Sequence, residues 1–268
     1  MSLLRVDHLT GGYGSLIVIN DCSMVVEPGE VVVIMGGSGS GKSTFLKHLI
    51  GLKPPMSGVV SLNDEDLYSG TMIDRYRRLK DIGVAFQMGA LISSLSIFDN
   101  VALPLRETTD LPEDVIEVMV RLKLEFVELL DKQHLLPSEL SGGMLKRAAV
   151  ARALARDPKL VFMDEPSAGL DPVVASALDD LILQIKDALG ISVVVVTHEL
   201  ESAFKIASRI VVLDRGFIIF DGSPEAIRES DNPRIQALIN RTAEPVEFDP
   251  DEHYRRIMGI PEENGLNG

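Results

Sequence analysis

Val31-Val-Val-Ile-Met35 runs directly into Gly36-Gly-Ser-Gly-Ser-Gly41-Lys42-Ser43. A continuous β-branched run is what a strand buried on both faces of a parallel sheet needs, and parallel neighbours require helical crossovers. The glycine-rich stretch fits the spacing G-x-x-x-x-G-K-[ST], and a helical pattern follows from Thr44 to Leu52. Strand, tight loop and helix in that order make the pattern a mechanism. The glycines let successive backbone N–H groups of Gly36, Gly37, Ser38, Gly39, Ser40 and Gly41 face phosphate oxygens, while the helix starting near Lys42, Ser43 and Thr44 turns its positive end to the same anion. Lys42 is expected at the β- and γ-phosphates of ATP and the Ser43 hydroxyl on Mg2+.

The remaining chain obeys the α/β constraint. Before Glu30, apolar and polar positions alternate between glycine and proline turns, predicting short antiparallel strands. Gly58–Asn63 and Ile82–Phe86 are further expected strands, with a polar helix near Asp74–Lys80. From about 88 to 157 there is no strand pattern; one helix is expected from Asp110, with Pro112 in its first turn, to about Leu130, and another from Ser141-Gly142-Gly143 through Arg156. Strands resume at 160–164, 191–197 and 210–213, separated by helices over Pro172–Leu189 and Leu200–Ala207, with a short strand at 218–220. Alternation of this kind predicts a parallel sheet with helical crossovers and an inserted helical block.

Charge and cysteine usage narrow the function. The net charge of -14 disfavours a nucleic acid partner, because phosphate chains are bound by Lys and Arg. No apolar run approaches the roughly 20 residues needed to cross a bilayer. Arg5 and Asp7 interrupt any apolar leader, and the lone Cys22, expected as a small core residue, fits a reducing compartment. The chain is expected to act inside the cell.

Two further stretches complete a catalytic set. Leu160-Val-Phe-Met-Asp164-Glu165 ends an apolar strand in two carboxylates: Asp164 is expected to hold magnesium and Glu165 to polarise the attacking water. Leu140-Ser141-Gly142-Gly143-Met144, followed by Lys146-Arg147, repeats the phosphate-loop logic, with a serine cap, two glycines and a helix start.

This last stretch strongly resembles the signature motif of ABC ATPases, and the likeness covers about residues 3–230. It implies a P-loop NTPase with a RecA-like parallel-sheet core, an antiparallel β subdomain and an inserted α-helical subdomain at about 88–157, all within an ATPase domain spanning 1–240. It also implies a head-to-tail pair of copies, in which Ser141, Gly142 and Gly143 of one chain touch the γ-phosphate held by the other. By the same resemblance Gln87 matches the glutamine at the magnesium and water end, Asp171 the aspartate of the loop crossing the pair, His198 the switch histidine and Tyr13 the aromatic that stacks on adenine. A small-molecule kinase with a phosphate loop would leave Leu140–Met144 without a task. A DNA-repair or translation ATPase of this family would carry coiled coils or a second cassette, which this sequence lacks.

The stretch from Phe86 to Glu107, the pair Leu111-Pro112, and Met144 where most families place glutamine resemble the Mla-type ATPases. Those work with MCE-domain proteins in phospholipid transport. Leu170, where many Mla-type chains have glutamine, departs from that pattern. The resemblance implies integral membrane permease subunits, an MCE-domain lipid-binding protein, a small accessory subunit, and a peripheral place on the cytoplasmic face of the inner membrane. A generic small-solute importer is the alternative. The segment from Met88 to Asn100 is where contact with a membrane subunit is expected. The acidic tail, 241–268, is either solvated or an arm that docks on a partner.

Overall fold

The computed structural model describes residues 2–87 and 89–241; the tail reading therefore lies, apart from Arg241, outside the described residues. The elements are, in order, β1 (Leu4–Tyr13), β2 (Leu16–Val26), β3 (Val31–Met35), α1 (Lys42–Leu49), β4 (Ser57–Leu62), β5 (Glu65–Asp66), α2 (Met72–Arg78) and β6 (Ile82–Ala85). There follow α3 (Ile97–Thr108), α4 (Glu113–Phe126), α5 (Gly142–Ala153), β7 (Leu160–Asp164), α6 (Pro172–Leu189), β8 (Ser192–Val196), α7 (Leu200–Ile206), β9 (Arg209–Asp214), β10 (Phe217–Gly222), α8 (Pro224–Arg228) and α9 (Pro233–Ile239). The chain divides into two units, 1–230 and 231–268, and α9 belongs to the second.

Two sheets form the first unit. The smaller is antiparallel, ordered β2-β1-β4-β5, and the larger runs β10-β9-β3-β8-β7-β6. From β9 through β6 every neighbouring pair in the larger sheet is parallel. β3 sits between β9 and β8, and all five of its residues are buried. At about 1.5–3 kcal/mol for each fully buried Val or Ile side chain, that run fixes the centre of the sheet. One core then joins both sheets, with Leu4, Ile19 and Met24 packed into the same cluster as Ile34, Phe45 and Phe162. Among the described residues no helix is long and apolar enough to cross a membrane.

The structure departs from the sequence expectations in several places, among them the ends of α4 at Phe126 and α5 at Ala153, short of Leu130 and Arg156. β10 joins the parallel sheet antiparallel to β9, because the turn at Arg215-Gly216 is too short for a crossover. The helix α1 ends at Leu49, short of Leu52. Pro112 is the N-cap of α4 and Glu113 its first residue. Finally α3 occupies a stretch where no helix was expected, with Pro104 inside it. Ser96 caps α3 through the N–H of Asp99 at 3.0 Å. Asn100, fully buried, accepts from the N–H of Ile92 at 2.8 Å and donates to the carbonyls of Ile92, Leu95 and Ser96. These bonds replace the local signal that proline removes.

The segment expected to meet a membrane subunit is thereby divided. Ile97, the first residue of α3, is fully buried, whereas Ile92 is 42% exposed.

Candidate active site

Four adjacent parallel strands, β3, β8, β7 and β6, lie in that spatial order, so all four end on one edge of the sheet. The glycine loop follows β3, Thr197 and His198 follow β8, Asp164 ends β7 with Glu165 next to it, and Gln87 follows β6. The carboxyl edge of an open parallel sheet is where ligands settle, because loops there face outward from the strands. Residues from four distant parts of the sequence thus share one edge. Ile34 and Asp164 stand in register with the same residue, Val196.

The glycine loop is braced from below and open above. Gly36 is buried, and a Cβ there would lie 2.2 Å from the carbonyl oxygen of Leu213. Gly41, with φ of 105°, caps α1 in a left-handed conformation and supplies no side-chain cap to the helix. Ser40 is buried, its carbonyl accepting from Gly216 N–H at 3.0 Å, while Gly37, Ser38, Gly39 and Ser43 stay exposed. Lys42 Nζ donates to the carbonyls of Gly36 at 2.7 Å and Gly37 at 3.0 Å. Burial pushes its pKa down, and the carboxylates of Glu165 and Asp164 oppose that shift.

Glu165 is the most constrained residue of the set. It is buried, its φ is 49°, and its N–H donates to Val196 carbonyl at 2.8 Å. Thr197 Oγ1 donates to Oε2 at 3.0 Å, and His198 Nδ1 lies 2.8 Å from Oε1. A left-handed, non-glycine backbone costs about 1–3 kcal/mol, and these partners hold it. Beside it, the Asp164 carboxyl is raised above the usual range by burial and by the Glu165 charge. Among the described residues no three His, Cys, Asp or Glu side chains converge as a metal cage. The Asp164 carboxylate, the Ser43 hydroxyl and the Gln87 amide are hard oxygen donors. That set suits Mg2+, which takes few protein ligands and completes its shell with phosphates and water.

The helix α5 begins at the serine-glycine stretch. Ser141 is its N-cap, exposed, with Oγ accepting from Met144 N–H at 3.3 Å. A Cβ on Gly143 would meet Val174 Cγ1 at 2.7 Å, so glycine is what lets this tip lie against α6. Asp171 caps α6, its Oδ1 accepting from Val173 and Val174 N–H, both at 3.1 Å. Tyr13, at the end of β1, is 45% exposed. Lys47 of α1 donates to its hydroxyl at 3.2 Å, and Lys53 sits 4.3 Å from the ring centroid. Hydrogen bonds from Thr44 and then Lys47 hold the phenol below its usual pKa.

Comparison with known proteins decides what this edge belongs to. The family model for ABC transporters matches residues 19–168. The chain is 38% identical over 248 residues to the intermembrane phospholipid transport system ATP-binding protein MlaF of Haemophilus influenzae, covering 92% of this chain and 94% of that one. This chain is an ABC transporter ATPase. The Escherichia coli K12 MlaF is 38% identical over 88% of each chain. A Mycobacterium tuberculosis protein named as a probable ribonucleotide transport ATP-binding protein, mkl, is also 38% identical, over 88% of this chain and 66% of its own. Among solved structures, cbiO1 of Clostridium perfringens, part of the transporter complex cbiONQ, matches with a TM-score of 0.78 at 29% identity, over 89% of this chain and 99% of that one. The cassette MJ0796, solved as a dimer bound to ADP and Pi, matches with a TM-score of 0.75 at 29% identity, over 82% and 98%. The fold is that of the P-loop NTPase cassettes.

In this ABC ATPase the sheet edge gathers Lys42, Asp164, Glu165, His198 and Gln87, whereas Ser141 and Asp171 are engaged with their own helix starts. Sequence reasoning missed Thr197, which fixes one oxygen of Glu165. It also missed Lys146 and Arg152 of α5. Lys146 Nζ donates to the carbonyls of Gln87 and of Glu165, the latter at 2.8 Å, and Arg152 donates to those of Ala90 and Gly89 at 2.7 and 3.0 Å. Their only sequence signal was a basic spacing along the helix that begins at Ser141.

Proposed function

We propose that this ATPase powers phospholipid movement between two membranes, as a head-to-tail pair seated peripherally beneath integral membrane partners. Likeness along nearly the whole chain to the two MlaF proteins is the observation that carries the substrate reading. The mycobacterial relative, equally identical but named for ribonucleotides, aligns over only 66% of its own length.

The chemistry follows from the sheet edge. On ATP binding, the backbone donors from Gly36 to Thr44 take the phosphates, and Lys42 exchanges the carbonyls of Gly36 and Gly37 for phosphate oxygens. Tyr13 offers its ring to the adenine. Magnesium, when bound by Ser43, Asp164 and Gln87, neutralises phosphate charge. Glu165 takes a proton from the attacking water, with Thr197 and His198 holding its oxygens so that one lone pair faces the substrate. The tip formed by Ser141, Gly142 and Gly143 of the second copy closes over the γ-phosphate, and Asp171 lies at that seam. The helical subdomain at 88–157 and the tail at 241–268 serve the membrane subunit and the partners.

Purification from membranes in mild detergent, with mass spectrometry of the proteins and lipids retained, tests the reading. Phospholipid together with an MCE-domain protein is expected. Retention of a nucleoside transporter without lipid would refute it.

A further inference from the structure

The helix α5 has two ends with different tasks. Its tip carries Ser141, and one turn further on Lys146 turns back into its own subunit. There the ammonium bridges two carbonyl oxygens that belong to residues 78 positions apart, Gln87 after β6 and Glu165 after β7. Both are the residues read above as serving the attacking water, and the inference rests on that reading. An ammonium has three donors and no acceptor, so one side chain can satisfy both carbonyls at once. Arg152, two turns along, repeats the pattern on the same loop at Gly89 and Ala90. Two cations on one helix therefore grip the loop after Gln87, and one of them also grips Glu165. Burial lowers the Lys146 pKa, while Glu165 and Asp164 pull the other way, so the charge stands in their field.

We propose that Lys146 is a positioning residue that ties the signature helix to the water-activating end of its own subunit, by holding the backbones of Gln87 and Glu165 together. Charge-assisted bonds to two main-chain oxygens set where the Glu165 carboxylate and the Gln87 amide stand without touching substrate. Movement of the α5 tip on the partner's nucleotide then reaches the chemistry of its own site through one side chain. This link needs a donor of fixed reach at position 146 and no particular acidity.

The test is steady-state ATPase kinetics on the full chain with K146M, K146R and E165Q, beside ATP affinity and thermal melting. K146M keeps the stem and removes the donors. Its kcat is expected to fall about tenfold or more, the effect of losing charge-assisted bonds, with KM and ATP affinity changed by less than about twofold. K146R is expected to recover most of kcat, because the guanidinium presents donors to both oxygens. A K146M enzyme with unaltered kcat overturns the proposal, as does a loss that arginine does not rescue and that parallels a lowered melting temperature. E165Q separates the two levels: turnover abolished there but intact in K146M refutes the link alone, whereas normal turnover in E165Q refutes the reading beneath it. Should K146M fail to fold, K146Q, which retains an N–H donor, replaces it, with partial loss of kcat expected and unchanged kcat overturning the link.

Discussion

Two helix starts in this molecule share a composition of glycine and serine, and the structure treats them differently. At α1 the cap is Gly41 in a left-handed conformation with no side-chain bond to the helix. At α5 the cap is Ser141, whose hydroxyl accepts from its own helix. The first start thus leaves its donors to a ligand and keeps its cation at home, with Lys42 on the carbonyls of Gly36 and Gly37. The second satisfies itself and sends its cation away, with Lys146 on Gln87 and Glu165. A loop built on the first plan binds phosphate alone. One built on the second keeps its serine cap, worth about 0.5–2 kcal/mol, because the hydroxyl accepts from the helix and still has its own proton to donate to a phosphate. That suits a surface that engages late and lets go.

The largest effect separates both starts from the chemistry. Glu165→Gln retains the size of the side chain and a donor for His198, yet removes the base. Turnover is expected to fall by about 10²–10⁴, with ATP affinity retained. Rapid-mix phosphate release and nucleotide binding measure the two quantities. Loss of ATP binding in this variant would mean that Glu165 belongs to the cradle and that the contrast between binding and chemistry is misplaced.

The contrast itself is broken or sharpened by a matched pair. Lys42→Ala removes a charged donor from the cradle, worth about 1.5–3 kcal/mol, so ATP is expected to bind roughly ten- to a hundredfold more weakly. Ser141→Ala is expected to leave the affinity of the single chain for ATP unchanged, to lower its melting point slightly, and to reduce turnover. Equal losses of affinity in the two variants, read by titration with a fluorescent nucleotide, would show that the two starts play one role.

The legible parts of this fold are those where sequence neighbours are also structural neighbours. Val31 to Ser43 carries strand, loop and helix in one stretch, and Asp164 closes its strand with Glu165 directly after it. α3 was hidden because Pro104 removes the helical signal locally, while the compensation comes from Asn100 bonding back to Ile92 and Leu95. Thr197 was passed over beside His198 because a hydroxyl before a histidine has no distinctive spacing. Its role depends on Glu165, 32 residues away in sequence. Lys146 lies within a legible motif, but its acceptors are main-chain oxygens, and a carbonyl has no sequence identity. β10 covers the expected 218–220 and extends to Phe217 and Gly222, and its direction follows from the length of a turn.

The smallest effect bears on what the cradle costs before it is filled. The Asp164 carboxyl has its pKa raised, first by burial and then by Glu165. A carboxyl with a raised pKa gives the fold stability that is present below its unfolded pKa and lost as the pH rises through the folded one. At neutral pH the ionised group is therefore a burden. Asp164→Asn is expected to melt higher than the parent near pH 7–8, by about 2–4 °C for each kcal/mol relieved, and the gap is expected to close as the pH falls below the Asp164 pKa. Calorimetry across that range, without nucleotide or divalent metal, measures it. Magnesium should reverse the order, since the parent alone keeps the carboxylate to receive it, while hydrolysis in the variant is lost. A variant less stable than its parent at neutral pH would show that Lys42 and Lys146 already neutralise Asp164. The cradle side would then be as self-satisfied as the serine tip.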